Sequence, residues 1–254
     1  MKIPSFVYGT AWKEERTAGL VELALRAGFR SIDTANQRKH YCEAAVGEGI
    51  AAAGIARAEL FLQTKFTYQR GQDHRLPYDP SARLAEQVRQ SMASSLQHLR
   101  TDYVDSYVLH GPSSHEWTDG DQEVWDAMRR ETDAGRARAL GVSNVSLRHL
   151  EQMAQHGAAP AYVQNRCLAR FGWDGEVRDF CRERGIVYQG FWLLTGNPEA
   201  LQSAPITEVA KRLGATPAQV LFAYVRGMGI VPLTGTSNPQ HMREDLDSAD
   251  LPPI

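Results

Sequence analysis

The chain has 254 residues, of which 43% are hydrophobic and 23% are charged, and its 28 basic and 30 acidic side chains give a formal net charge of −2. This composition is ordinary for a folded globular protein and argues against extensive disorder. Because the charges are spread along the chain without a basic block, we expect neither nucleic acid nor an anionic membrane surface as a partner.

The cysteines and the start of the chain predict where the protein works. Cys42, Cys167 and Cys181 cannot all pair within the chain, and they show no C-x-x-C spacing. The first residues are interrupted too early by Pro4 for a secretory signal, and no later apolar run approaches the roughly 18 residues of a membrane span. The histidines lack H-E-x-x-H spacing. We therefore expect a cytoplasmic protein without a metal site.

Short β-rich runs alternate with amphipathic stretches along the whole chain. Strands are predicted at residues 3–8, 30–33, 60–65, 103–110, 137–142, 162–164, 186–191 and 230–232. Helices are predicted at residues 17–27, 43–53, 81–99, 121–134, 146–155, 175–184, 205–213, 217–226 and 239–246. The alternation predicts the α/β class, and eight strand–helix units predict a (β/α)8 TIM barrel formed by residues 1–254 as a single domain.

Polar side chains stand at or shortly after the ends of three of these strands. They are Asp33, Tyr41, Lys65 and His110, and the carboxyl ends of barrel strands converge on one mouth. A phenol, whose pKa is ordinarily near 10, is a useful acid at neutral pH when a nearby cation favours its ionised form. The set therefore predicts proton transfer to a carbonyl oxygen, with Lys65 lowering the pKa of Tyr41, Asp33 holding Lys65 and His110 orienting the substrate.

The longest irregular stretch, residues 68–80, follows the third predicted strand, at residues 60–65. Loops of this length in a compact domain are usually functional or disordered. Its position at the predicted mouth favours a lid that faces the substrate.

The order and spacing of several motifs resemble the aldo-keto reductase family over nearly the whole chain. The matching runs are GTAW at 9–12, SIDTA at 31–35, Tyr41 with Glu43 and VG at 46–47, LQTK at 62–65, DYVD at 102–105 with His110, GVSN at 141–144 and QN at 164–165. The resemblance implies a barrel that reduces an aldehyde or ketone, a small-molecule substrate, by hydride transfer from a nicotinamide cofactor bound without a Rossmann domain. It also implies that Tyr41 is the proton donor.

The resemblance further implies which residues contact the two ligands. Ser143, Asn144 and Gln164 are expected to hold the carboxamide, which needs both hydrogen-bond donors and acceptors, and Phe191 is expected to stack on the nicotinamide ring. Trp12, Tyr41 and His110 are expected to contact the substrate. The full set expected to contact the cofactor is Gly9, Thr10, Ala11, Asp33, Ser143, Asn144, Gln164, Phe191, Trp192, Leu193, Leu194, Gly196, Thr234, Gly235, Thr236, His241 and Asp245.

The segment between Asp33 and Glu43 departs from the family pattern because it carries extra residues. Spacing from Asp33 points to Arg38 as the proton donor, whereas spacing from Glu43 points to His40 or Tyr41. Arginine cannot donate a proton at neutral pH. We select Tyr41 because of its chemistry.

Two cofactor segments also depart from the pattern. The run at 190–197 replaces the usual serine-proline-leucine after the stacking residue, so contacts from Leu193, Leu194 and Gly196 to the pyrophosphate are expected to be backbone contacts. The segment after the last strand lacks the family's lysine for the 2′-phosphate, and His241 stands roughly where many members have an arginine. The turn at 234–237 and the following helix can still bind a phosphate through backbone amides. NADP(H) is therefore favoured, with NAD(H) possible.

Two other functions are compatible with the same residues. Lys65 at a strand end is a candidate Schiff-base nucleophile of an aldolase-like enzyme. The barrel is also a candidate cofactor-binding protein without turnover that acts as a redox-responsive partner, as some relatives of the family do.

Overall fold

Eight short parallel strands close into a barrel in the computed structural model, which describes residues 3–252. The strands are β1 (Val7–Gly9), β2 (Ser31–Asp33), β3 (Phe61–Phe66), β4 (Ser106–Leu109), β5 (Leu140–Ser143), β6 (Tyr162–Arg166), β7 (Val187–Phe191) and β8 (Val231–Thr234). Each pairs with its neighbour in sequence, and β1 pairs with β8. The prediction of a single-domain (β/α)8 barrel is confirmed; residues 1, 2, 253 and 254, assigned to the same domain, lie outside the described residues.

Helices cover the outside of the barrel. Within residues 3–252 they are α1 (Thr17–Ala27), α2 (Glu43–Ala53), α3 (Leu84–Leu99), α4 (Asp119–Asp133), α5 (Leu147–Gln155), α6 (Gly175–Glu183), α7 (Pro198–Leu201), α8 (Ala204–Leu213), α9 (Pro217–Gly227) and α10 (Pro239–Asp247). Several begin at side-chain caps. At α9, Thr216 Oγ1 accepts a hydrogen bond from Gln219 N at 3.2 Å and Pro217 is the first helical residue, an arrangement that favours a helix start.

The third strand shows how the barrel positions polar side chains. All of its residues are buried, because one face of a barrel strand points into the interior and the other packs against helices. Alternation along the strand sends Gln63 and Lys65 to the inner face and Thr64 to the helix-facing side. The inner face of this barrel therefore carries polar groups where branched apolar side chains usually dominate.

Several predicted elements begin later than expected, including the first strand, which starts at Val7 and not at residue 3, and the fifth, which starts at Leu140 and not at residue 137. The predicted helix at 81–99 starts at Leu84, because Asp79 Oδ1 accepts hydrogen bonds from the backbone N and the hydroxyl of Ser81, which forms a turn first. The predicted strand at 103–110 is regular only over Ser106–Leu109. Its first part is held by an isolated bridge between Val104 and Ala137 instead.

Candidate active site

A buried ion pair lies at the centre of the barrel mouth. Lys65 is 1% exposed and Asp33 is 3% exposed. Lys65 Nζ lies 2.5 and 2.6 Å from the two carboxylate oxygens of Asp33 and 2.8 Å from the carbonyl oxygen of Thr34. An ammonium has three N–H donors, so all of them are engaged. Burial lowers the pKa of Lys65, and the Asp33 charge opposes that effect. A pinned, ion-paired amine is a poor Schiff-base nucleophile.

The predicted donor and the predicted substrate-orienting residue meet beside this pair. Lys65 Nζ lies 5.5 Å from the centroid of the half-buried Tyr41 ring. The rings of Tyr41 and His110 are 5.9 Å apart between centroids, edge to face at 71°. The structure therefore brings together the whole predicted set.

The pKa of Tyr41 is shifted in the opposite direction from the sequence-based expectation. Burial raises the pKa of Tyr41, and the negative charge of Asp33 raises it further. The expected lowering by Lys65 does not prevail, because the Lys65 ammonium is ion-paired with Asp33 at 2.5 Å. Tyr41 thus stays protonated at neutral pH, which keeps the phenol ready to donate to a strongly basic alkoxide.

His110 is held as a neutral imidazole. Its Nδ1 lies 2.7 Å from Thr67 Oγ1, and its backbone carbonyl accepts a hydrogen bond of 2.8 Å from Asn144 Nδ2. Burial lowers the pKa of His110 to about 3, and the Lys65 and His40 charges act in the same direction. When Thr67 donates to Nδ1, Nε2 carries the proton and can donate to a carbonyl oxygen.

The structure separates the competing candidates for the proton donor. The Arg38 side chain extends toward α3, where its Nη2 lies 3.4 Å from Ser94 Oγ. The His40 ring stacks on Trp12, with the ring centroids 3.5 Å apart, and Trp12 is 65% exposed at the mouth. Of these side chains, Tyr41 is the one that contacts Lys65 and His110.

Sequence analysis missed a ring of buried amides that holds Asp33. Asp33 Oδ1 accepts hydrogen bonds from Gln63 Nε2 at 2.7 Å and from Gln164 Nε2 at 3.1 Å. Both donors also bind Gln189 Oε1 at 2.9 Å, and Gln189 Nε2 returns a bond to Gln63 Oε1 at 3.1 Å. Strand alternation could have predicted this ring. Gln63 precedes Lys65 by two residues and Gln189 precedes Phe191 by two, so each amide shares the inward face of its strand.

Of the residues expected to hold the carboxamide, Ser143 ends β5, Asn144 directly follows it, and Gln164 lies in the middle of β6. Ser143 is buried and Asn144 is exposed, with a left-handed φ of 56°. Asn144 Nδ2 donates to Ser143 Oγ at 3.1 Å. Gln164 spends its N–H groups on Asp33 and Gln189, which leaves its oxygen for a ligand. This set supplies the mixed donors and acceptors that a carboxamide needs.

The turn after β7 presents an aromatic surface and a rigid backbone. Phe191 is half-buried and Trp192 is 53% exposed. The side chain of Leu193 is buried, Leu194 is partly buried, and the carbonyl oxygen of Leu193 accepts a hydrogen bond of 2.9 Å from Asn197 Nδ2. Contacts from Leu193 to a ligand would therefore be backbone contacts, as the sequence predicts.

The ends of β1 and β8 lie side by side at the mouth, with β8 next to β7. Thr10 is buried, and both its N and its hydroxyl donate to the backbone carbonyl of Asp33. The neighbouring Gly9 and Ala11 are partly exposed. Tyr8 donates to the carbonyl of Thr236 at 2.9 Å. Lys13 Nζ donates to the carbonyl of Gly235, so Lys13, which sequence analysis missed, places an amine at the predicted phosphate turn.

The two predicted residues of α10 differ in exposure. His241 is exposed, whereas Asp245 is 2% exposed. Burial raises the pKa of Asp245 to about 6, and its Oδ2 has no hydrogen-bond partner. Thr234, the last residue of β8, is buried and is followed directly by Gly235 and Thr236.

The loop at 68–80, expected to form a lid, is hydrogen-bonded to neighbouring segments of the mouth. Tyr78 donates to the carbonyl of Thr67 at 2.7 Å, and Gln72 Nε2 donates to the carbonyl of Asn36 at 2.7 Å. The Arg70 guanidinium donates to the carbonyls of Pro112 and Ser113. The loop is therefore held on both sides at the mouth, and its role as a lid stays a prediction.

Other kinds of site find no support in the described part of the chain. Between residues 3 and 252, His, Cys, Asp and Glu side chains form no group of three or more placed to hold a metal ion. In the same part of the chain, none of the helices has the length and apolar character needed to cross a membrane.

Comparison with known proteins identifies the family of the chain. The aldo/keto reductase family model matches residues 7–197. The chain is 30% identical over 254 residues to the methylglyoxal reductase DkgB of Salmonella typhimurium, an alignment that covers 99% of this chain and 89% of that protein. It is 28% identical over 231 residues to the glyoxal reductase of Bacillus subtilis, covering 91% and 77% of the two chains. The aldo/keto reductase structure from Brucella melitensis has a TM-score of 0.84 at 28% identity, over 98% of this chain and 90% of that one.

The chain therefore belongs to the aldo/keto reductase family, as the sequence motifs predict. It is an oxidoreductase of that family, whose members use nicotinamide cofactors to reduce carbonyl compounds.

Proposed function

We propose that the protein reduces small 2-oxoaldehydes of the methylglyoxal type to hydroxy compounds with NADPH, with Tyr41 as the proton donor. The observation that carries the proposal is the packing of Tyr41 against Lys65 and His110 around the ion pair with Asp33. The substrate class rests on relatives named methylglyoxal and glyoxal reductases. A cytoplasmic location stays a prediction from the cysteine content.

Each residue has a distinct role in the proposed reaction. His110, neutral because burial lowers its pKa, donates a hydrogen bond to the substrate oxygen and orients it. Tyr41, protonated because burial raises its pKa, gives its proton to that oxygen as charge develops there. The Lys65 ammonium, held in place by Asp33, stabilises the phenolate that remains.

The cofactor supplies a hydride to the carbonyl carbon when it is bound. Ser143, Asn144 and Gln164 fit its carboxamide, and the half-buried Phe191 fits its ring face. The Lys13 amine beside Gly235 supports an anionic group at the turn after β8, which favours NADPH over NADH. Contacts from Thr236, His241 and Asp245 to that group remain part of the proposal.

The test compares Tyr41→Phe with His40→Gln in steady-state reduction of methylglyoxal by NADPH. Loss of the phenolic proton is expected to lower kcat by roughly a hundred-fold or more, as for other general acids, while the Kd of NADPH changes less than two- to three-fold. His40→Gln is expected to keep most of its turnover. Undiminished kcat in Tyr41→Phe, or a larger loss in His40→Gln, would remove Tyr41 from the donor role.

A further inference from the structure

Arg166 occupies an inner position on the rim of the barrel. It is the last residue of β6 and follows Gln164 by two residues, so its side chain leaves the strand on the same face. Gln164 reaches Asp33 inside the barrel. Arg166 therefore lies one layer nearer the mouth, and its partner across the sheet is Phe191.

The indole of Trp192, which directly follows β7, packs against the Arg166 guanidinium. The guanidinium carbon of Arg166 lies 4.7 Å from the centroid of the Trp192 ring, a distance typical of a cation–π contact. Trp192 has a left-handed φ of 61° although it is not glycine, and its indole is 53% exposed. Strained backbone with an exposed aromatic side chain is commonly kept for function.

The turn after Trp192 maintains that strained conformation. The carbonyl of Trp192 accepts hydrogen bonds from Gly196 N at 2.9 Å and from Asn197 Nδ2 at 3.3 Å. A Cβ on Gly196 would come within 2.6 Å of the same carbonyl oxygen and within 2.5 Å of Leu168 Cδ2. The indole is thus held in place by a turn that admits only glycine at this position.

Charge indicates what the pair binds. The segment 191–197 contains no charged residue, although its backbone is expected to face the pyrophosphate. Arg166 forms no salt bridge in the described part of the chain, so its guanidinium is available to a ligand. Arg170, four residues later, stacks on the exposed Phe171 in the same way, with 4.9 Å to the ring centroid, but it lies beyond the strand in the loop that leads to α6.

We propose that Arg166, braced by Trp192, binds the diphosphate of the nicotinamide dinucleotide. A planar guanidinium presents paired N–H donors that match phosphate oxygens, and stacking on an indole fixes its orientation. The inference rests on the proposed function and adds the cation that the turn after β7 lacks. It assigns Arg166 to the bridging phosphates, which NADPH and NADH share, and not to the 2′-phosphate.

The test measures Kd by isothermal titration of NADPH and NADH into the wild-type protein, Arg166→Gln, Arg166→Lys and the matched control Arg170→Gln. Loss of a charged hydrogen bond is expected to weaken both cofactors by the same factor, roughly ten- to a hundred-fold in Arg166→Gln. Arg166→Lys is expected to recover part of the loss, and Arg170→Gln to match the wild type. Because Arg166 and Arg170 are exposed, unchanged far-UV circular dichroism is expected for all variants.

Three outcomes would overturn the assignment. A loss confined to NADPH would move Arg166 to the 2′-phosphate. Unchanged Kd values with a raised KM for an anionic carbonyl substrate would move Arg166 to the substrate. Equal losses in Arg166→Gln and Arg170→Gln would indicate a general field effect. In each case carbonyl reduction by the wild type would stand, whereas a wild type that binds neither cofactor would refute the proposed function together with this inference.

Discussion

The buried carboxyl group of Glu43 makes the stability of the fold depend on pH. Glu43 begins α2 and is 5% exposed. Its Oε1 accepts a hydrogen bond of 2.5 Å from Thr64 Oγ1, and its Oε2 accepts one of 3.0 Å from Ser95 Oγ. His98 Nδ1 lies 4.0 Å away. Burial raises the pKa of Glu43 to about 7, against the opposing effects of Thr64, Ser95 and nearby cations.

The sign of the effect follows from linkage. A carboxyl group whose folded pKa lies above its unfolded value of 4.5 binds its proton more tightly in the folded state, so its contribution is full below about pH 4.5 and is lost as pH rises through about 7. The difference between the two pKa values, at about 1.4 kcal/mol per pH unit, corresponds to about 3 kcal/mol. Glu43→Gln keeps the shape and an oxygen for Thr64 but cannot ionise, so it is expected to retain this stability at pH 8.

The assay is urea unfolding followed by tryptophan fluorescence at half-unit steps from pH 5 to pH 8.5. The difference between wild type and Glu43→Gln isolates Glu43 and its coupling to His98, because His110 and Asp245 titrate alike in both proteins. The control is Glu48→Gln on the same helix, whose exposed carboxylate lies 3.8 Å from Arg100 and is expected to contribute little. Parallel curves for wild type and Glu43→Gln across this range would refute the argument.

Three further predictions concern packing and protonation. Gly19→Ala in α1, where a new Cβ meets nothing within 4 Å, is expected to stabilise the protein by about 0.5–1 kcal/mol, whereas Gly47→Ala, where the Cβ meets His98 O at 2.2 Å, is expected to destabilise it; urea unfolding compares them. Gln189→Leu leaves Gln63 Oε1 without its donor and is expected to cost about 1–3 kcal/mol in the same assay. Because the pKa of His110 is lowered to about 3, NMR of the imidazole is expected to show no protonation between pH 5 and 8.

The barrel was predictable because each level of the sequence carries the same signal. Alternating β-rich and amphipathic runs specify strand and helix, and regular alternation leaves a parallel closed sheet as the simplest arrangement. Strand ends then identify the mouth, which is why Asp33, Lys65 and His110 were found without coordinates. Exact boundaries were less accessible, since the delay of α3 depends on Asp79 binding Ser81, a side-chain choice that periodicity does not encode.

The protonation and contacts of the site residues were less predictable than which residues form the site. Spacing alone could not choose the proton donor among Arg38, His40 and Tyr41. The extra residues before Glu43 make the answer depend on whether one counts from Asp33 or from Glu43. Contacts separate them: His40 stacks on Trp12 at 3.5 Å, and Tyr41 packs beside Lys65. Likewise, the sequence does not show that the Asp33 charge offsets the Lys65 charge, so that the pKa of Tyr41 is not lowered.

The differences between the expected and the observed protonation of the site have one physical origin. The barrel interior is polar but nearly closed to water. In such a site a charge persists only if other groups hold it. Asp33 accepts hydrogen bonds from Lys65, Gln63 and Gln164, while burial favours the neutral forms of Tyr41 and His110. In the resting site the transferable proton is therefore on Tyr41, and the Lys65–Asp33 ion pair lies beside it. Charge that develops on a bound carbonyl oxygen would meet neutral donors already in position, which is the arrangement that electrostatic preorganisation requires.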